Sequence, residues 1–142
     1  MPKVHFSYAD KQLVFPNKTA LKQYVETIFK KEKKELGSVR YVFCSDEFLL
    51  AINKSSLNHD YYTDIITFDL SNLGQPIESE IYVSIDRVKD NAQQLGVSFK
   101  EELCRVVFHG ALHLCGYKDK KKEDVLLMRK KEGYYLSVFF RQ

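Results

Sequence analysis

Proline and glycine are scarce in this chain of 142 residues, at three and six, and most of them fall between patterned segments. No linker, internal repeat or low-complexity tract divides it, so one domain over residues 1–142 is expected. Cysteine is sparse and odd in number: Cys44, Cys104 and Cys115 form no CxxC pair. That excludes a disulfide framework, predicts no disulfide partner and fits reduced thiols in a cytosol. Long apolar runs are missing as well. Phe48-Leu49-Leu50-Ala51-Ile52 is typical of the longest, far below the ~20 residues of a membrane span. The opening Met1–Phe6 has no apolar core, and Asp10 and Lys11 follow too soon for one. A cytoplasmic protein without a membrane partner is therefore expected. Charge of one sign is nearly balanced, with 22 Lys+Arg against 19 Asp+Glu and a net +3. This excludes a histone-like basic tail and an acidic disordered chain, and it allows a nucleic-acid partner without requiring one.

What is present describes an ordinary globular domain, 44% hydrophobic and 29% charged, large enough to bury most of its apolar surface. Val4–Tyr8 alternates like a strand. Lys18–Leu36 carries Leu21, Tyr24, Val25 and Ile28 at helical spacing, with Lys30, Lys31, Lys33 and Lys34 suited to a last turn and Gly37 to the stop. Ser38–Cys44 reads as a second strand, and Ser45-Asp46-Glu47 opens a short helix through Ile52. Strands are expected at Asp64–Asp69 and, after a turn at Leu73–Pro76, at Glu80–Ile85. Helices follow over Ile85–Leu95, Ser98–Leu114 and Glu123–Val138. The fold class is α+β, a small sheet covered by helices.

One segment has metal-ligand spacing. His109 and His113 stand four residues apart, so a helix projects both imidazoles from one face. Gly116 ends that helix and lets the chain bring Asp119 back beside the pair. The pattern His-x3-His-x5-Asp would supply three ligands and leave one position open. The plainer alternative is two histidines packed in a buried helix. Three features favour the metal: imidazoles in an apolar stretch need partners, Gly110 implies close approach of another backbone, and Gly116 stands where a returning ligand needs it. A zinc protease carries a glutamate after its first histidine, and here that residue is Gly110.

His109-Gly110-Ala111-Leu112-His113-Leu114-Cys115-Gly116-Tyr117 closely resembles the H-G-x-L-H-L-x-G-Y-D-H motif of the YbeY family of metallo-endoribonucleases. Tyr62–Phe68 is similar to that family's P-T-D-V-L-S-F strand, and Glu80–Ser84 resembles its G-D-I-x-I-S. The resemblance covers most of the chain. It implies a mixed four-stranded sheet packed by helices, with the metal site at the end of a central helix. It further implies one zinc per chain and metal-dependent cleavage of single-stranded RNA. The family role is maturation of the 16S ribosomal RNA 3′ end and ribosome quality control, with ribosomal RNA or the small subunit as partner. His109 and His113 carry over as zinc ligands. The family's third histidine falls on Asp119 and its motif aspartate on Lys118, and a carboxylate can replace imidazole on zinc. The family's arginine upstream of the second motif aligns on Leu57, with Lys54 a few residues earlier.

Candidates for a general base are Asp64 and Glu80. Lys118, Lys120 and Lys121, with Lys122, form a basic cluster fit to attract a phosphodiester backbone. Lys30, Lys31, Lys33 and Lys34 would extend it if folding joins the two segments. Tyr61, Tyr62 and Tyr117 could stack unpaired bases. Cys115, like Cys44 and Cys104, reads as a packed thiol. His5 has no partner at ligand spacing, and His59-Asp60 reads as a solvated loop. The alternative function is a ribosome-assembly, RNA-binding factor whose zinc is structural and whose hydrolysis is negligible.

Overall fold

In the computed structural model, which describes residues 2–57 and 63–141 (the side chains of residues 56 and 57 excepted), four strands and five helices are seen among the described residues. Their order is β1 (Val4–Tyr8), α1 (Lys18–Lys31), β2 (Leu36–Cys44), α2 (Asp46–Leu57), β3 (Ile65–Asp69), β4 (Ile77–Ser84), α3 (Ile85–Leu95), α4 (Phe99–Leu114) and α5 (Lys122–Phe140). The strands form one mixed sheet in the order β1-β2-β4-β3. β1, β2 and β4 run parallel, and β3 is antiparallel to β4. The fold is α+β, as the pattern of elements predicts.

Side-chain alternation divides the sheet between two environments. The register Phe6–Tyr41–Ile81–Thr67 puts Tyr41 and Ile81 on one face, fully buried with Val39, Phe43 and Val83. That face lies under α4, whose Leu103, Cys104, Val107, Phe108, Ala111 and Leu112 are also at zero exposure. Each of the buried Leu, Val and Phe side chains contributes about 1.5–3 kcal/mol of burial, so α4 is the helix around which the core is built. The Tyr41 hydroxyl satisfies its burial by donating to the Val107 carbonyl at 2.8 Å. The opposite face carries Arg40, Glu80 and Tyr82, and is partly covered by α2 through a small cluster of Cys44, Leu49 and Ile66.

Several boundaries differ from expectation. α1 stops at Lys31 rather than Leu36, because Lys33 takes a left-handed conformation (φ 59°) and turns the chain. Gly37 is therefore no helix stop. It lies inside β2, where the pairing with β4 shifts register between Leu36 and Ser38. α2 runs on to Leu57, its first turn capped by the Ser45 hydroxyl, which accepts from the Phe48 N–H at 3.1 Å. α3 keeps its expected limits, Ile85–Leu95: Ser84 accepts from the Arg87 N–H, and Gly96 (φ 68°) follows the last turn.

Candidate functional site

The site grows from α4. Ser98 caps its start by accepting from the Glu101 N–H at 3.0 Å. Its end is fixed where Gly116 adopts φ 108° and the Tyr117 N–H reaches back to the Leu112 carbonyl at 3.1 Å. The chain then reverses, and Asp119 returns to the helix with Oδ2 3.1 Å from His109 Nε2. On the other side of the ring, His109 Nδ1 lies 2.6 Å from Oε2 of Glu132, which projects from α5 and is only 3% exposed. His109 thus stands between two carboxylates from two different elements. Burial favours its neutral form, but the hydrogen bond and charge of Glu132, then Asp119 and Asp64, outweigh that and raise its pKa.

A second layer lies behind Glu132. Arg105, one helical turn before His109, grips Glu102 with Nε and one terminal nitrogen at 2.8 and 2.7 Å. Its other terminal nitrogen donates to Glu132 Oε1 at 3.2 Å. Asp64, just before β3, is 3.8 Å from Arg105 and accepts from the Asn91 side chain at 3.3 Å. Burial pushes the Asp64 carboxyl above its ordinary range, against the opposing pull of Arg105 and His109.

The predicted residues are not all brought together. His109 and Asp119 meet, whereas His113 is exposed at the last turn of α4. Among the described residues no group of three or more His, Cys, Asp or Glu side chains is gathered to grip a metal ion. The donor chemistry nevertheless fits zinc. With Nδ1 committed to Glu132, a neutral His109 offers its Nε2 lone pair beside a carboxylate oxygen, and imidazole and carboxylate are both zinc ligands. A cavity of about 250 Å³, lined by Arg105, His109, Asp119, Arg129 and Glu132 among others, opens there.

Asp64 and Glu80 end on different sides of the sheet: Asp64 precedes β3 and reaches Arg105 of α4 at 3.8 Å, outside the strand's alternation. Glu80 neighbours Ile81, which packs toward Gly110 of α4, so Glu80 lies on the opposite face and accepts there from the Tyr82 hydroxyl at 3.2 Å. Gly110 itself makes its close approach to the side chains of Ile81 and Ile65, not to a backbone. Lys118, Lys120 and Lys121 are exposed. Lys118 and Lys121 line a larger cavity of about 510 Å³ with Glu32, Cys115, Tyr117 and Leu127. Glu32, just past α1, accepts from the Tyr117 hydroxyl at 2.7 Å, so the lysine-rich end of α1 does adjoin the loop of Lys118. Tyr117 is therefore tied by its hydroxyl. All three cysteines are buried, as packed thiols should be. Leu57 ends α2, but its side chain, like His59, Asp60, Tyr61 and Tyr62, lies outside the described residues.

Glu132, Arg105 and Asn91 were not legible as neighbours of the site, nor was Glu102 as the structural partner of Arg105. The signal for two of them was available: Glu102, Arg105 and His109 are polar residues at spacings of three and four on an otherwise apolar helix. Nothing local marks Glu132.

Among the described residues no helix is long and apolar enough to cross a membrane. Residues 5–139 match the family model described as endoribonuclease YbeY. An endoribonuclease YbeY of Cytophaga hutchinsonii is 48% identical over 135 residues, covering 95% of this chain and 94% of the relative. One from Flavobacterium psychrophilum is 50% identical over 121 residues, covering 85% and 86%. A Thermotoga maritima protein known from its solution structure superposes with a TM-score of 0.68 at 27% identity, covering 96% of this chain and 89% of that one. The chain belongs to the endoribonuclease YbeY family.

Proposed function

We propose that this chain is a zinc-dependent endoribonuclease that cuts single-stranded ribosomal RNA, in maturation of the 16S 3′ end and in quality control of the small subunit, in the cytoplasm. Family membership supports the nuclease activity. The observation that carries the metal dependence is His109, held by Glu132 through Nδ1 with Nε2 turned to Asp119. His109, His113 and Asp119 are the residues assigned to one zinc. When bound, zinc supplies a Lewis acid for the phosphodiester and lowers the pKa of a water.

The chain's own groups do the rest. Lys118 and Lys121, with Lys120 beside them, place positive charge along the loop that carries Asp119 and so hold the RNA backbone next to it. Asp64 is the assigned proton acceptor. It shares Arg105 with Glu132, and burial makes its carboxylate more basic than a solvated one. Glu80, on the far face of the sheet, takes no part.

The test is the metal content of purified protein together with cleavage of single-stranded RNA, with His113→Ala as control. Stoichiometric zinc and metal-dependent cleavage, both lost in His113→Ala, are expected. Zinc without cleavage would leave the assembly factor with a structural zinc. Absence of bound zinc without chelator would overturn the three-ligand site.

A further inference from the structure

We propose that Glu132 is a positioning residue: it fixes the ring of His109 so that Nδ1 carries the proton and Nε2 is the atom offered to a metal beside Asp119. The inference rests on the proposed zinc site and names a residue outside the assigned ligands.

The charge balance around Arg105 argues for it. Glu102, itself 1% exposed, already takes two bonds from the Arg105 guanidinium at 2.8 and 2.7 Å. That pair neutralises Arg105. A second buried carboxylate on the same guanidinium brings its own desolvation cost, and Glu132 makes a single, longer contact there at 3.2 Å. Its shorter bond, 2.6 Å, goes to His109. Serving Arg105 alone would not require Glu132, whereas orienting His109 does.

The geometry suits that task. His109 rides on α4, but Glu132 rides on α5, between the buried Met128 and Tyr135 on the same helix face. A carboxylate fixed on a separate element stops rotation of the imidazole in a way that a neighbour on α4 could not. Because Glu132 accepts only, a neutral His109 must present N–H at Nδ1 and a lone pair at Nε2. A charged acceptor also raises the basicity of Nε2 toward a cation. Arg105 holds the other carboxylate oxygen of Glu132 in place at 3.2 Å.

Zinc affinity by chelator competition and ring nitrogen-15 NMR of His109 in the zinc-loaded protein test this, using Glu132→Gln, Glu132→Ala and Glu102→Gln. Glu132→Gln should lower zinc affinity about 10–100-fold, and Glu132→Ala should lower it at least as much. Glu102→Gln removes the same charge from Arg105 without touching His109. It should lower the thermal midpoint yet leave zinc affinity within about twofold. Wild type and Glu102→Gln should show a protonated Nδ1 and a zinc-shifted Nε2, and Glu132→Ala should lose that single signature. If Glu132→Ala fails to fold, Glu132→Gln carries the same comparison. Equal losses of affinity in Glu132→Gln and Glu102→Gln would reduce Glu132 to a structural partner of Arg105. Tight zinc binding that ignores Glu132 overturns this inference alone. A wild-type protein without zinc affinity overturns the zinc site and this inference with it.

Discussion

Gly110 and Ile81 meet so closely that a methyl group on Gly110 would lie 3.0 Å from Ile81 Cδ1, with Ile65 Cδ1 at 3.1 Å on the other side. The contact seats α4, and so His109, directly on β3 and β4. Alanine at this position gains about 1 kcal/mol of helix propensity but overpacks a closed core, at a cost of about 1–3 kcal/mol. Gly110→Ala should therefore lose about 1 kcal/mol by the difference of these two terms. Gly133 of α5 is the internal comparison, since nothing lies within 4 Å of a Cβ there. Gly133→Ala should gain about 0.5–1 kcal/mol. Urea unfolding of both variants checks the pair, and a stabilised Gly110→Ala would show that the Ile81 and Ile65 side chains give way without loss.

Glu32 ties the end of α1 to the α4–α5 loop and to α5. It accepts from the hydroxyls of Tyr117 and Tyr135 and lies 3.4 Å from Lys131 Nζ. Burial pushes its carboxyl up, but the two tyrosine hydrogen bonds and Lys131 outweigh this and leave it below the usual glutamate range. A lowered folded pKa gives stability that is complete above the unfolded value of about 4.3 and is lost as pH falls through the folded one. Glu32→Gln should cost about 1–3 kcal/mol at pH 7. The gap from wild type should narrow below pH 4. Urea midpoints at pH 7 and pH 3 decide it, and a gap that persists unchanged at pH 3 would remove the charge from the explanation.

Local signals were sufficient where a single residue decides the outcome. Ser84 and Gly96 bound α3, and Gly116 turns Asp119 back to His109. They failed where another residue can do the same job, as Lys33 does by taking the left-handed turn expected of Gly37. They failed also where tertiary register decides. Asp64 and Glu80 look alike as carboxylates beside strands, but the pleat puts Glu80 on the far face while Asp64, just before β3, reaches Arg105 of α4. Glu132 meets His109 across 23 residues and two helices. No periodicity within α5 could reveal that pairing.

The three thiols should be inert in the folded protein. Cys44 and Cys104 have zero exposure and Cys115 has 7%. Burial pushes each thiol up to about 12. A thiol held that far up carries almost none of the reactive thiolate. Iodoacetamide at pH 8 should modify no cysteine on the timescale that modifies all three in denaturant, as read by intact mass. Rapid labelling of Cys115 in the native state would mean that the neighbouring cavity opens to it.

Asp119 and Lys118 are adjacent in sequence but should fail differently. Asp119 faces His109 Nε2, while Lys118 lines the larger cavity rather than the one that holds His109. Asp119→Ala removes an assigned ligand and should lower zinc affinity more than about 100-fold, beyond the usual loss for an outer partner. Asp119→His restores the family's residue and should regain zinc binding. Lys118→Ala should leave zinc affinity unchanged and weaken binding of single-stranded RNA. The slope of log affinity against log salt should then fall by about 0.7, the value for one phosphate contact on a single strand. Chelator competition and a salt series of RNA titrations separate the two effects. Full zinc occupancy in Asp119→Ala would send the search for the third ligand elsewhere, and an unchanged salt slope in Lys118→Ala would take that lysine off the RNA path.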